Sequence, residues 1–107
     1  MRINIKPLSV NLAWKGRRFK TEKYKSYEKA VLLMLPKIVI PQDKIKLIIE
    51  VGYSNKASDI DNCLKPFIDI LQKKYRFNDN KIYELAVKKV IVKKNSEFIS
   101  FEFKDFE

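Results

Sequence analysis

The chain has 107 residues, 46% apolar and 34% charged, and its 23 basic side chains outnumber 13 acidic ones for a net charge of +10. A length in this range suits one domain, and folding hides just under ~70% of the unfolded surface, so a single core forms without staples. One cysteine and no histidine exclude an internal disulfide, a cysteine-built zinc cluster, His-ligated zinc and the Ser-His-Asp and Cys-His nucleophile pairs.

In chain order, Arg2 to Lys6 alternates polar and apolar residues and reads as a short strand. Pro7 to Lys20 reads as a loop broken by Pro7, Asn11 and Gly16. A helix follows, with Thr21 as its N-cap, Glu22 in the first turn and Pro36 ending it. Tyr24, Tyr27, Val31, Met34 and Leu35 form its core face. Pro41 to Lys44 is a turn. Ile45 to Tyr53 alternates cleanly, with the odd positions apolar, and is a half-buried strand.

A second helix lies between about Asp61 and Lys74, with Ile60, Cys63, Leu64, Phe67, Ile68 and Leu71 as its apolar stripe. Cys63 within that stripe is a buried, inert thiol. Proline inside a helix costs ~3 kcal/mol but is tolerated in the first turn. Pro66 therefore means either that the helix begins just after Asp61 or that it bends there. Ile82 to Lys94 reads as a long strand whose alternation slips near Lys88-Lys89, as at a bulge. Asn95-Ser96 is a hairpin turn into Glu97 to Phe103, where Ile99, Phe101 and Phe103 face one way. The order β-α-β-α-β-β defines an α+β domain over residues 1–107, with helices packed on a small mixed sheet.

No apolar run approaches the ~18 residues of a membrane span. The start MRINIKPLSV has no long apolar segment, so no secretory signal is expected and a cytosolic protein is. The charge points to a polyanion: nucleic acid first, an anionic membrane second. The bland alternative is a lysine-rich soluble surface.

The acids run against the charge trend. Four of the six aspartates, Asp59, Asp61, Asp69 and Asp79, fall within 21 residues that contain no glutamate. Asp61, Lys65 and Asp69 are spaced by four and stack on one helix face. Carboxylates brought together without a cation repel one another. A hard cation such as Mg²⁺ or Mn²⁺ held by Asp59, Asp61 and Asp79 is the functional reading, and its chemistry is water activation and charge stabilisation on a phosphodiester. The structural alternative is a helix cap at Asp61, i,i+4 pairs at Lys65, and a turn at Asn78-Asp79-Asn80.

The run Ser58-Asp-Ile-Asp-Asn-Cys-Leu-Lys-Pro-Phe-Ile-Asp-Ile-Leu71, followed by Phe77-Asn-Asp-Asn-Lys-Ile82, resembles the signature of RusA-type Holliday junction resolvases. That signature is D-x-D-N-x-x-K-x-x-x-D-x-L with an acidic pair downstream. Pro7-Leu-Ser-Val-Asn11, the basic stretch after it and the Tyr-containing helix are similar to the family as well. The resemblance implies a homodimeric, Mg²⁺-dependent endonuclease that makes paired symmetric nicks in four-way DNA junctions, in recombination and repair, in a bacterial cytoplasm or from a phage. By position it assigns Asp59, Asp61 and Asp79 as catalytic metal ligands and Lys65 as the catalytic lysine beside the scissile phosphate. It makes Asp69, Asn62 and Asn78 supporting residues. Asn78 departs from the family pattern, because it stands where the first acid of the pair belongs and brings no charge.

Lys15, Arg17, Arg18, Lys20, Lys23 and Lys25 cluster with Trp14, Phe19 and Tyr24, which suits phosphate contact with stacking on unpaired bases. The alternative is a solvated loop whose aromatics return to the core. Lys88, Lys89, Lys93 and Lys94 form either a second DNA patch or a charged sheet edge. A two-fold dimer suits the two-fold symmetry of a four-way junction. Its interface is left between Ile38-Val39-Ile40 and the strand Phe98 to Phe103. A nuclease acting on other branched or flapped DNA, and a silent binder of branched DNA, are the competing readings.

Overall fold

The computed structural model describes residues 1–15 and 19–107. Its elements are β1 (Arg2–Ile3), α1 (Val10–Ala13), β2 (Trp14–Lys15), β3 (Phe19–Lys20), α2 (Glu22–Met34), β4 (Ile45–Tyr53), α3 (Leu64–Tyr75), a 3₁₀ turn (Asp79–Lys81), β5 (Ile82–Ile91) and β6 (Phe98–Asp105). Four strands form one mixed sheet in the order β1-β6-β4-β5, while β2 and β3 pair separately and antiparallel. This is a single α+β domain, with three α-helices among the described residues.

The helix α2 starts as its sequence dictates: the Thr21 hydroxyl oxygen accepts the Tyr24 amide at 3.1 Å, a cap worth about 1 kcal/mol. Tyr24, Tyr27, Val31 and Leu35 are buried, but Met34 is 46% exposed, because α2 ends at that residue and its side chain leaves the core face. On β4 the odd residues Ile45 to Tyr53 are buried beneath the helices. From α3 come Phe67, Ile70 and Leu71; Ile70 was absent from the expected stripe, and Ile60 is 44% exposed because it precedes the helix. The helix begins at Leu64, which puts Pro66 in the first turn, where a missing amide costs little.

Several expectations require correction. The first strand is two residues long, and the segment expected as loop holds α1 and the two short strands. A helix this brief exists because Ser9 caps it, its hydroxyl oxygen accepting the Asn11 amide at 3.2 Å. The strands β5 and β6 are not a hairpin: β4 lies between them, parallel to β5 and antiparallel to β6. The turn at Asn95, with φ 72°, therefore serves a connection that passes the end of β4. The irregularity in β5 lies beside Ile45 and Lys46, where Ile82 and then Glu84 are the partners, and not at Lys88-Lys89.

Among the described residues no helix covers the second sheet face. On it Arg2 lies 3.8 Å from the Phe98 ring centre and pairs with Glu50 at 3.6 Å. Cross-strand pairs Lys46–Glu84 and Lys88–Glu50 continue the same charged lattice.

Candidate active site

The loop from Ser54 to Cys63 leaves the C-terminal end of β4 and enters α3, so it carries Asp59 and Asp61 at one end of the sheet. Local hydrogen bonds shape it: Asn55 accepts the Ala57 amide on its side chain at 2.8 Å and the Ser58 amide on its carbonyl at 3.2 Å. The Asp59 carbonyl accepts the Asn62 amide and the Asp61 carbonyl accepts the Leu64 amide, both at 3.1 Å. Three outside anchors hold it. Lys89 on β5 donates to the carbonyls of Lys56 and Ser58. Ser54 donates to Glu97 at 2.8 Å. Asn62 is tied to the start of α1, accepting from the Ser9 hydroxyl at 3.0 Å and from the Val10 amide at 2.8 Å.

Asp59 and Asp61 are exposed, and among the described residues neither forms an ion pair. Beneath them Cys63 is buried, and burial pushes its thiol above the ordinary value, as an inert core cysteine requires. Two unpaired carboxylates on an anchored loop offer hard oxygen donors of the kind that Mg²⁺ and Mn²⁺ take.

Asp79 stands elsewhere. It precedes β5, whose first residue Ile82 pairs with Ile45 at the start of β4, whereas Asp59 and Asp61 follow Tyr53 at its end. Nine strand residues separate those ends by roughly 26 Å. The Asp79 amide is fastened to α3 instead, donating to Gln72 at 2.9 Å, and Gln72 in turn donates to Asp69 at 3.3 Å. Asn78 caps the 3₁₀ turn, accepting the Asn80 amide at 3.0 Å. Among the described residues no three acidic or thiol side chains gather closely enough to hold a metal. Within one chain, then, Asp59 and Asp61 are neighbours in a loop and Asp79 does not join them.

Lys65, in the first turn of α3, faces the other side of the helix entrance. Its ammonium pairs with Asp69 at 3.5 Å and stands 5.3 Å from the Trp14 ring centre. Glu28 of α2 bridges Lys20 at 3.0 Å and Lys73 at 3.2 Å. Burial works to raise the Glu28 carboxyl, but the two lysines outweigh it and hold that group below the ordinary carboxylate value. Sequence reasoning missed Glu28 and Lys73, whose only signal was opposite charge on two helices.

Of the expected DNA contacts, Lys15 and Lys23 are exposed and in no ion pair among the described residues, while Lys20 is engaged by Glu28. Arg17 and Arg18 lie outside the described residues. Phe19 is 71% exposed and open to stacking, but Tyr24 is buried and belongs to the core. Lys89 serves the loop, and Lys88 pairs with Glu50. Within Phe98 to Phe103, Ile99 and Phe101 are buried in the core and Phe98 is buried on the other sheet face, while Glu102 is exposed.

Two carboxylates that are unpaired among the described residues, on an anchored loop of a chain with net charge +10, suit a nuclease. The family model described as endodeoxyribonuclease RusA matches residues 9–100, and the chain belongs to that family, whose members are structure-specific endodeoxyribonucleases that resolve Holliday junctions. Nucleases of this family depend on divalent metal in general. No curated protein matches the chain. Among the described residues no helix is long and apolar enough to cross a membrane.

Proposed function

We propose that this chain resolves four-way DNA junctions by paired symmetric nicks, as a Mg²⁺-dependent homodimer that accepts Mn²⁺ as a substitute, in recombination and repair in a bacterial or phage-infected cytoplasm. The observation that carries this reading is the anchored loop with two exposed, unpaired carboxylates, Asp59 and Asp61, in a chain of net charge +10. When bound, a divalent cation supplies charge stabilisation on the phosphodiester and a more acidic water. Asp59 and Asp61 would hold it, Lys65 would offset phosphate charge, and Asn62 would keep the loop in place. Lys15, Lys23 and Phe19 would meet the DNA arms.

The third acid, Asp79, we assign to a second copy. The strand β5 is an edge ten residues long, with Tyr83, Leu85 and Ile91 exposed by 41–56%. Two such edges paired antiparallel about a two-fold axis bring the start of one β5 beside the end of the other. Asp79 of the partner subunit then approaches the loop that Lys89 tethers over the end of β5.

The experiment is subunit mixing. Asp61→Asn and Asp79→Asn proteins, each alone, are expected to bind a synthetic four-way junction without cutting it. Mixed, they should regain Mg²⁺-dependent nicking, because one of the two shared sites in a heterodimer keeps all its acids. Activity in neither variant and none on mixing places all three acids in one chain. Wild-type cleavage of flaps but not junctions, or binding without cleavage in Mg²⁺ and in Mn²⁺, sinks the resolvase reading.

A further inference from the structure

We propose that the cleft between α1, β3, α2 and α3 binds one unstacked nucleobase of the DNA, laid against the indole of Trp14. The proposal rests on the reading above that the substrate is branched DNA, where bases at the crossover are free to leave the stack.

The cleft is open to solvent, has a volume of about 680 Å³ and is lined by Trp14, Tyr24, Lys20, Glu28, Lys65 and Asp69, among others. That volume lies within the range of small-ligand sites. Trp14 is half-buried and its plane is set by the core: it meets the buried Tyr24 ring edge-on, at 4.9 Å and 86°. The Lys65 ammonium covers it at 5.3 Å, yet that side chain is 65% exposed and, among the described residues, its one ion pair is with Asp69 at 3.5 Å. Such a cover can be exchanged for a flat ring without disturbing the core.

The lining selects the ligand. The Glu28 and Asp69 carboxylates pair with the Lys20, Lys65 and Lys73 ammoniums and offset most of their charge, so the lining draws neither a phosphate nor a bare cation strongly. A neutral aromatic ring with donors and acceptors on its edge is compatible with both signs, and stacking on an aromatic plane is indifferent to base identity. Lys65 also links the cleft to the loop, four residues after Asp61. A base held here would fix the adjoining phosphates beside the carboxylates.

Trp14 is the chain's single tryptophan, so its emission reports on this cleft alone. In EDTA, the intact protein would be titrated with a single-stranded oligonucleotide and with an abasic strand of equal length and charge, binding being followed by anisotropy of an end label. At equal saturation the base-bearing strand is expected to quench Trp14 and the abasic strand is not. Trp14→Leu should weaken the base-bearing strand by about tenfold, spare the abasic one, and Trp14→Phe should recover most of the loss. Equal quenching by both strands, quenching by neither, or no binding of the base-bearing strand overturns the proposal. The comparison of strands needs only the wild-type protein, so a misfolded variant does not remove it. Base-dependent quenching in a protein that cuts no junction would sink the nuclease reading alone; junction cleavage with a silent Trp14 would sink this one alone.

Discussion

The Asn62 side chain accepts a hydrogen bond from the Ser9 hydroxyl at 3.0 Å, joining the carboxylate loop to the cap of α1 across 53 residues of sequence. The Asn62 carbonyl accepts the Val10 amide beside it, so one residue ties the loop down twice. Asn62→Ala is expected to cost about 1 kcal/mol in urea denaturation, the net worth of one hydrogen bond. Junction cleavage at saturating DNA should fall further, by about tenfold, because misplaced catalytic groups lose more rate than stability. A loss of stability with unchanged cleavage would show that the tie does not position the carboxylates.

Among the described residues Lys15 and Lys23 form no ion pair, while Lys20 pairs with Glu28. Plots of log affinity against log salt should lose about one unit of slope for Lys15→Ala and for Lys23→Ala. Lys20→Ala should change the slope less. A larger effect at Lys20 would mean that DNA displaces Glu28.

Glu28 makes stability depend on pH. Its folded carboxyl sits below the ordinary value, so its contribution is complete above that ordinary value and is lost as pH falls through the depressed one. The thermal midpoint of the wild-type protein is therefore expected to fall more steeply on acidification than that of Glu28→Gln. Parallel curves would show that the bridge to Lys20 and Lys73 adds nothing.

Gly52 lies under the Phe98 ring, where an added Cβ would collide with the ring carbons, and Arg2 closes the stack from outside. Gly52→Ala should destabilise by about 1–3 kcal/mol, the usual cost of overpacking. Phe98→Ala combined with Gly52→Ala should cost less than the sum of the two single changes, because Phe98→Ala removes the ring that the added methyl strikes. Additive losses in denaturation would rule out that clash.

What the sequence made legible was local. The alternation of Ile45 to Tyr53, the Thr21 cap and the proline at 66 each carry their own physics, and each element appears where that physics puts it. The four-residue helix at Val10 escaped notice because its cap, Ser9, preceded no apolar repeat long enough to read. The placement of β4 between β5 and β6 also escaped, since alternation says which face of a strand is buried and nothing about its neighbours. The same gap hid the position of Asp79. Its spacing from Asp61 fits a motif, but which end of the sheet it occupies follows from the direction of α3 and from β5 running parallel to β4.

The strand β6 lies between β1 and β4, and it follows both in the chain. Neither of its neighbours can reach the other directly, so β1 has no place in the sheet until residues 98–105 have been made. During synthesis the segment before α1 must wait, and so must two ties of the loop of Asp59 and Asp61, those to Lys89 and Glu97, which are made late in the chain. Such late, long-range closure slows folding. It also leaves a nascent, strongly basic chain with its carboxylate loop short of two anchors, so the loop settles fully only as the last strand arrives.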